Sequence, residues 1–277
     1  MTVDAHQHFW IFDPVRDAWI TPDMQAIRRN FLPGDLGPVL RANGIEGCVA
    51  VQADQTEAET EFLLQLAEAN DFVKGVVGWV DLRAANLYER LEFYSQFEKL
   101  KGFRHIVQAE PVDFLRQADF IRGVRQLVAF DYTYDILIYP TQLEAARYFV
   151  EQLPDVKFVV DHLAKPYIKE GKIEEWAAAM RQLASYPNVH CKVSGMVTEA
   201  DWHNWKKDDF RPYLDVVVEA FGVDRLLFGS DWPVCLVAAD YGQMKEILEE
   251  YLLGFSVTEK EKIFGRNATR FYGLDEA

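Results

Sequence analysis

Short runs of β-branched and apolar residues alternate along this chain with longer stretches in which apolar positions recur every three or four residues. The short runs predict strands at 2–6, 46–52, 73–80, 101–107, 134–139, 157–161, 189–194 and 225–229. Amphipathic segments fall between them at 35–43, 57–70, 86–99, 114–129, 141–152, 173–186 and 209–222, and two more, 241–252 and 258–271, follow the last strand. Eight strands, each followed by a helix, within 277 residues outline an α/β fold of the single (β/α)8 TIM barrel kind. A doubly wound open sheet is the alternative, but no glycine-rich phosphate loop follows the first strand. No linker, repeat or low-complexity stretch interrupts the pattern, so residues 1–277 are expected to form one domain. Three strand-to-helix connections, 7–34, 163–172 and 195–208, are long and rich in aromatic or charged residues. In a barrel, connections at that end build the site.

Composition narrows the ligands. A hydrophobic fraction of 49% is ample for a large core, while a net charge of −15 disfavours nucleic acid and anionic membrane surfaces as partners. A small molecule becomes the expected partner, and a homo-oligomer stays open. The apolar runs "VVGWV" and "LLFG" fall far short of the roughly 20 residues that span a bilayer. The first residues carry no basic segment of the secretory kind, so a soluble, cytoplasmic protein is expected. Cys48, Cys191 and Cys235 are odd in number and lack CxxC spacing, which suits buried thiols and no disulfide.

Polar residues at the C-terminal ends of barrel strands point into the mouth, and the sequence places several there. In "DAHQHFW", His6 and His8 are two residues apart at the end of the first strand, so they share a face and converge on one point. Arg104 and His105 lie along the fourth strand, Asp161 and His162 close the sixth in "FVVDHLAKP", and Asp231 follows the eighth in "LLFGSDWP". A carboxylate in the place of Asp231 is poorly solvated and needs a cation, a histidine or a bound water. His190 and His203 stand off the strand ends and read as structural. Asp161 reads either as an orienting partner for its neighbours or as a direct participant. Arg104 is the natural partner for a carbonyl or carboxylate oxygen. Gln52, Gln108, Lys165 and Ser194 could contact polar groups of a ligand, and Trp10, Trp79, Tyr139, Trp232 and His105 could wall the pocket.

The ordered set "VDAHQHFW", "GWVDL", "LKGFRHIVQAEP", "VVDHLAKP", "CKVSG" and "LLFGSDWP" resembles the amidohydrolase superfamily. Within it, the chain is similar to the sugar-lactone hydrolases, the L-fuconolactonase and L-rhamnonolactonase branch, from residue 3 to the ending "GRNATRFYGL". The resemblance implies a barrel, hydrolysis of a sugar-derived lactone to its aldonic acid, and a site of His6, His8, His162 and Asp231. Binuclear members carry a bridging lysine or glutamate on the fourth strand, where this chain has Arg104. A single divalent cation, Zn²⁺, held by His6, His8, His162 and Asp231 is therefore expected in place of two, and the branch also includes metal-independent hydrolases. In that reading Asp231 activates water, while Arg104 and His162 polarise the carbonyl. The competing readings are a metal-dependent decarboxylase or hydrolase of an aromatic-derived lactone, and a non-catalytic carbohydrate-binding barrel.

Overall fold

The computed structural model describes residues 1–274. Strands β1 (Val3–Gln7), β2 (Gly47–Val51), β3 (Val73–Gly78), β4 (Leu100–His105), β5 (Thr133–Ile136), β6 (Phe158–Val160), β7 (Val189–Val193) and β8 (Leu226–Phe228) form one parallel sheet in chain order. Helices α1 (Pro33–Ala42), α2 (Glu57–Glu68), α3 (Leu87–Tyr94), α4 (Ala118–Gln126), α5 (Leu143–Glu151), α6 (Glu174–Ala184) and α7 (Lys207–Phe221) each lie in one crossover. Parallel strands joined in this way curl into a (β/α)8 barrel, and every predicted strand is found within a few residues of its expected place. Among the described residues no helix is long and apolar enough to cross a membrane.

Inside the barrel, Val3, Ala5, Val49, Val51, Val77, Val159 and Leu227 pack together with Ala268, Phe271, Tyr272 and Leu274. Residues of the opposite parity, such as Cys48 and Ala50, belong to the larger apolar layer that includes the surrounding helices. After β8 come α8 (Tyr241–Tyr251), α9 (Val257–Glu261) and α10 (Asn267–Tyr272), and α10 plugs the N-terminal end of the barrel. With that end filled by apolar side chains, the polar ones gather at the other.

The seam between β1 and β8 is closed by backbone bonds and by buried side chains. His8 N donates to Trp232 O (2.7 Å) and Asp231 N to His6 O (2.8 Å). Beside them the buried carboxylate of Asp4 accepts from the backbone N of His6 (3.1 Å) and Ser230 (2.9 Å), and from the hydroxyls of Ser230 (2.6 Å) and Tyr241 (2.9 Å). Burial pushes its pKa up to about 6, with those hydrogen bonds opposing the rise. The same seam sets the backbone that carries His6, His8 and Asp231.

Several element boundaries differ from expectation, α3 ending at Tyr94 and β5 at Ile136 among them, and three differences have clear local reasons. The predicted helix 258–271 is broken by a π turn at Lys262–Arg266, where the backbone of Gly265 closes on the chain start so tightly that a Cβ would lie 2.0 Å from Met1 O. The segment 114–129 resolves into α4 flanked by 3₁₀ turns at Phe114–Arg116 and Leu127–Phe130. Strand β3 stops at Gly78 because the Thr60 hydroxyl both accepts from Trp79 N and donates to Trp79 O, at 2.8 Å each.

Candidate active site

Four side chains from three strand ends meet at the mouth. His6 Nε2 and His8 Nε2 are 3.1 Å apart, and Asp231 Oδ1 lies 3.3 Å from His8 Nε2, 3.9 Å from His6 Nε2 and 3.8 Å from His162 Nε2. His8 Nδ1 is 2.7 Å from the carbonyl of Val51. A carbonyl only accepts, so His8 carries its proton on Nδ1 and turns a lone pair on Nε2 toward the cluster. Burial drives His6 and His162 well below the usual histidine range, which keeps both neutral at pH 7. Burial alone would raise Asp231, but His162, His8 and nearby Lys165 outweigh it and hold the carboxyl ionised.

The backbone that presents these groups is unusual. Asp231 has φ +57°, and His162, Leu163, Ala164 and Lys165 have φ of 53°, 53°, 56° and 50°, a full left-handed turn of non-glycine residues. Such a turn costs roughly 1–2 kcal/mol per residue. What it accomplishes is orientation: His162 and Lys165 face the cavity, while Leu163 and Ala164 are buried in the core. His162 Nδ1 bonds the hydroxyl of Ser194 (2.8 Å), and the next residue is glycine with φ +62° because a Cβ there would come within 2.6 Å of the same imidazole nitrogen. Lys165 Nζ is paired with Glu199 Oε1 at 3.1 Å.

Beneath the mouth lies a layer of buried charge. Arg104 Nη1 is 3.0 Å from Asp161 Oδ2 and 3.3 Å from His6 Nε2, and its Nη2 donates to the backbone and side-chain oxygens of Gln52. Arg104 Nε has no partner among the described residues. Lys192 Nζ contacts Asp135 Oδ2 at 2.5 Å, Asp161 Oδ1 at 3.0 Å and His6 Nδ1 at 3.1 Å, and the Tyr272 hydroxyl donates to Asp135 Oδ2 at 2.8 Å. Two cations thus face two carboxylates, and the pocket floor carries no net charge from them.

Above this floor opens a cavity of about 300 Å³. His8, Arg104, His162, Lys165 and Asp231 form its polar side; Ala53, Ile106, Leu137 and Val234 form an apolar side, with Trp19, Gln55 and Gln108 also in its wall. The wall at Ala53 rests on Glu59, whose Oε1 accepts from Ala53 N at 3.2 Å. Burial, assisted by Asp54 and Asp17, raises the pKa of Glu59 to about 7, with the Ala53 N–H and Arg16 pulling the other way. The folded value exceeds the unfolded one of about 4.3, so stability falls as pH rises between the two and the full penalty persists above pH 7. Glu59→Gln is therefore expected to stabilise the fold at pH 8 by up to about 3 kcal/mol and to leave it unchanged near pH 4. Denaturant unfolding at the two pH values checks this.

Of the residues expected at the site, His8, Arg104, Gln108, His162, Lys165 and Asp231 line the cavity, and His6 touches His8 and Arg104 directly. Gln52 and Ser194 are fully buried behind it and act on Arg104 and His162. Trp10 and Trp232 turn into the core around Phe31, with ring centroids 5.6 and 5.2 Å from it, and Trp19 stands at the cavity in their place. His105 faces away from Arg104: its Nε2 is 2.9 Å from Glu110 Oε1, its ring stacks on Phe114, and the Trp79 indole N–H approaches its Nδ1 at 3.4 Å. Tyr139 is outside the cavity, 38% exposed, with the Lys165 ammonium 5.8 Å from its ring centre. Lys192, Asp135 and Gln55 also belong to the site, with no motif to mark them. For the first two the available signal is a lysine and an aspartate, both buried, inside β7 and β5.

The family model described as amidohydrolase matches residues 3–274. An L-fucono-1,5-lactonase from Burkholderia multivorans is 40% identical over 288 residues, covering 100% of this chain and 97% of the relative. A second L-fucono-1,5-lactonase, from Burkholderia ambifaria, is 37% identical, covering 99% of this chain and 96% of the relative. A crystal structure of an amidohydrolase from Burkholderia multivorans with bound Zn superposes with a TM-score of 0.96 at 40% identity, covering 99% of this chain and 100% of that one.

Proposed function

Because the chain belongs to the amidohydrolase family, we propose that it hydrolyses a sugar-derived lactone of the L-fuconolactone kind to the open aldonic acid, with Asp231 as general base. The observation that carries this reading is an ionised carboxylate, 3% exposed, set among three imidazoles at the wall of a cavity large enough for one sugar ring. A lactone is an ester, so its opening needs an activated water and a donor for the developing oxyanion.

In this mechanism a water beside Asp231 Oδ1 loses a proton to the carboxylate as its oxygen bonds to the carbonyl carbon. Negative charge builds on the carbonyl oxygen. Arg104 is the cation in the cavity wall suited to it, its guanidinium held in place by Asp161 and Gln52 at the terminal nitrogens. As the ring C–O bond breaks, the proton on Asp231 passes to the departing ring oxygen. The new carboxylic acid then ionises and releases one proton to solvent.

Substrate hydroxyls find matched groups in the wall. Gln55 Oε1 is held by the backbone N of Ile106 at 2.6 Å, which commits its NH₂ to donating, and Gln108 also stands in the wall. A substrate hydroxyl can accept from the Gln55 amide. The cationic side chains of the cavity are already countered, Arg104 by Asp161 and Lys165 by Glu199, which favours an uncharged sugar lactone over an aromatic-derived lactone bearing carboxylates.

A divalent cation fits the same residues. His6 Nε2, His8 Nε2 and Asp231 Oδ1 are mutually 3.1 to 3.9 Å apart. Ligands at about 2.0–2.1 Å from a tetrahedral Zn²⁺ stand at about that separation. The lone pair on His8 Nε2, only 3.1 Å from His6 Nε2, also calls for a proton or a cation between the two rings. His6, His8 and Asp231 would hold the ion, whereas His162 groups instead with His6 and Asp161. When bound, such an ion supplies Lewis-acid activation of water. Zn²⁺ titrated calorimetrically into metal-free protein is expected to bind at one equivalent, and His8→Ala is expected to remove that binding. Undiminished binding by the variant would place the ion elsewhere.

A further inference from the structure

The left-handed turn that presents His162 and Lys165 needs something to hold it, because each of its four residues would relax to the ordinary right-handed or extended region if free. The turn's own hydrogen bond, Lys165 N to His162 O at 2.7 Å, is local and forms only once the turn exists. A side-chain hydrogen bond to the turn's backbone from outside it is made by Trp176, in the first turn of α6 and away from the catalytic cavity. Its indole N–H donates to Leu163 O at 2.7 Å, and its ring, 3% exposed, is packed against Tyr213 of α7 at 5.3 Å between centroids. Leu163 O belongs to the middle of the strained segment, so this one bond from a rigid helix fixes the peptide plane between the two residues that face the cavity.

We propose that Trp176 is a positioning residue for catalysis: through Leu163 O it holds the left-handed turn in the form that aims His162 at Asp231 and Lys165 at the substrate. Glu199 and Ser194 then act on side chains already delivered by the turn. The strain makes the arrangement two-state, since loss of the anchor lets the turn unwind and swings both side chains out together. The catalytic part rests on the lactonase reading; the conformational part does not.

The test is a cycle of Trp176→Phe, which keeps the packed ring and removes only the N–H donor, with Ala164→Gly, which removes the cost of the left-handed conformation at a core position. Trp176→Phe is expected to lower kcat by about tenfold or more with a smaller change in KM, since a buried carbonyl is left unpaired in the active form alone. Ala164→Gly alone is expected to keep full activity, and the double variant to recover most of the lost kcat. Activity of Trp176→Phe within twofold of the parent overturns the proposal, as does a loss that Ala164→Gly leaves unrepaired. Should Trp176→Phe fail to fold, thermal melting of Ala164→Gly decides: a raised midpoint supports a strained, anchored turn, and a lowered one contradicts it. A parent protein inactive on every lactone, with the melting results as expected, would fault the lactonase reading and spare the anchor.

Discussion

Asp231→Asn is expected to retain the fold and to lose turnover by about three orders of magnitude or more. The amide keeps the size of the carboxylate and its NH₂ can donate to the lone pair on His8 Nε2, so the geometry of the cluster is preserved while the proton acceptor is lost. Nearby groups are poor substitutes: the His8 Nε2 lone pair is taken up by the new amide, burial drives His6 and His162 well below the usual histidine range, and Asp161 is committed to Arg104 and Lys192. The parent Asp231 is ionised across the neutral range, so its protonation should limit kcat/KM only well into acid. Steady-state rates with circular dichroism as a folding control check both statements. Turnover within tenfold of the parent would remove Asp231 from the role of base and leave Arg104 with the oriented water as the main contributors.

Lys192→Met is expected to be the most damaging single change to stability, about 3–5 kcal/mol at pH 8. Methionine fills nearly the same space, so the loss is electrostatic. Lys192 is fully buried and its ammonium is shared by Asp135, Asp161 and His6; without it two carboxylates remain in the barrel with Arg104 alone, and Arg104 reaches only Asp161. Burial already holds Asp135 at about 6 with Lys192 in place, against an unfolded value of about 3.9. In the variant that folded value moves higher still. The penalty therefore grows as pH rises above about 4 and is complete only above the folded value, so the deficit should be smaller at pH 5 than at pH 8. Adding Asp135→Asn should restore part of it. Unfolding midpoints at both pH values give the comparison, and an equal deficit at the two would contradict an electrostatic cause.

The barrel was legible because its strands are short β-branched runs bounded by amphipathic segments, a signal that needs no tertiary information. The same holds for His6, His8 and Asp231, which stand at strand ends where a packed interior has no use for them. Other features depend on what the chain does between elements. The pairing of Arg104 with His105 as joint pocket residues ran against strand alternation, which turns one of two neighbours outward, and the structure gives the cavity to Arg104. Trp10 and Trp232 were indistinguishable by type from Trp19; only the course of the long loop after β1 decides that the first two pack on Phe31 and the third meets the cavity. Lys192 is not legible as a site residue because a strand-interior lysine has no sequence partner in view. Its partners come from β1, β5 and the end of β6. The left-handed turn at 162–165 carries no glycine or asparagine to announce it, being imposed by Trp176, Ser194 and Gly195 from elsewhere in the chain.

The most direct test of the account is a pH-indicator assay of the purified protein against a panel of aldonolactones, run as purified, after chelation and after addition of Zn²⁺ or Mn²⁺. Opening each lactone releases one proton at neutral pH, so the indicator reads the bond that Asp231 is held to break. The account predicts saturable turnover on a six-carbon lactone of the L-fuconolactone kind, lost in Asp231→Asn under the same conditions. No turnover on any aldonolactone in all three conditions would contradict it.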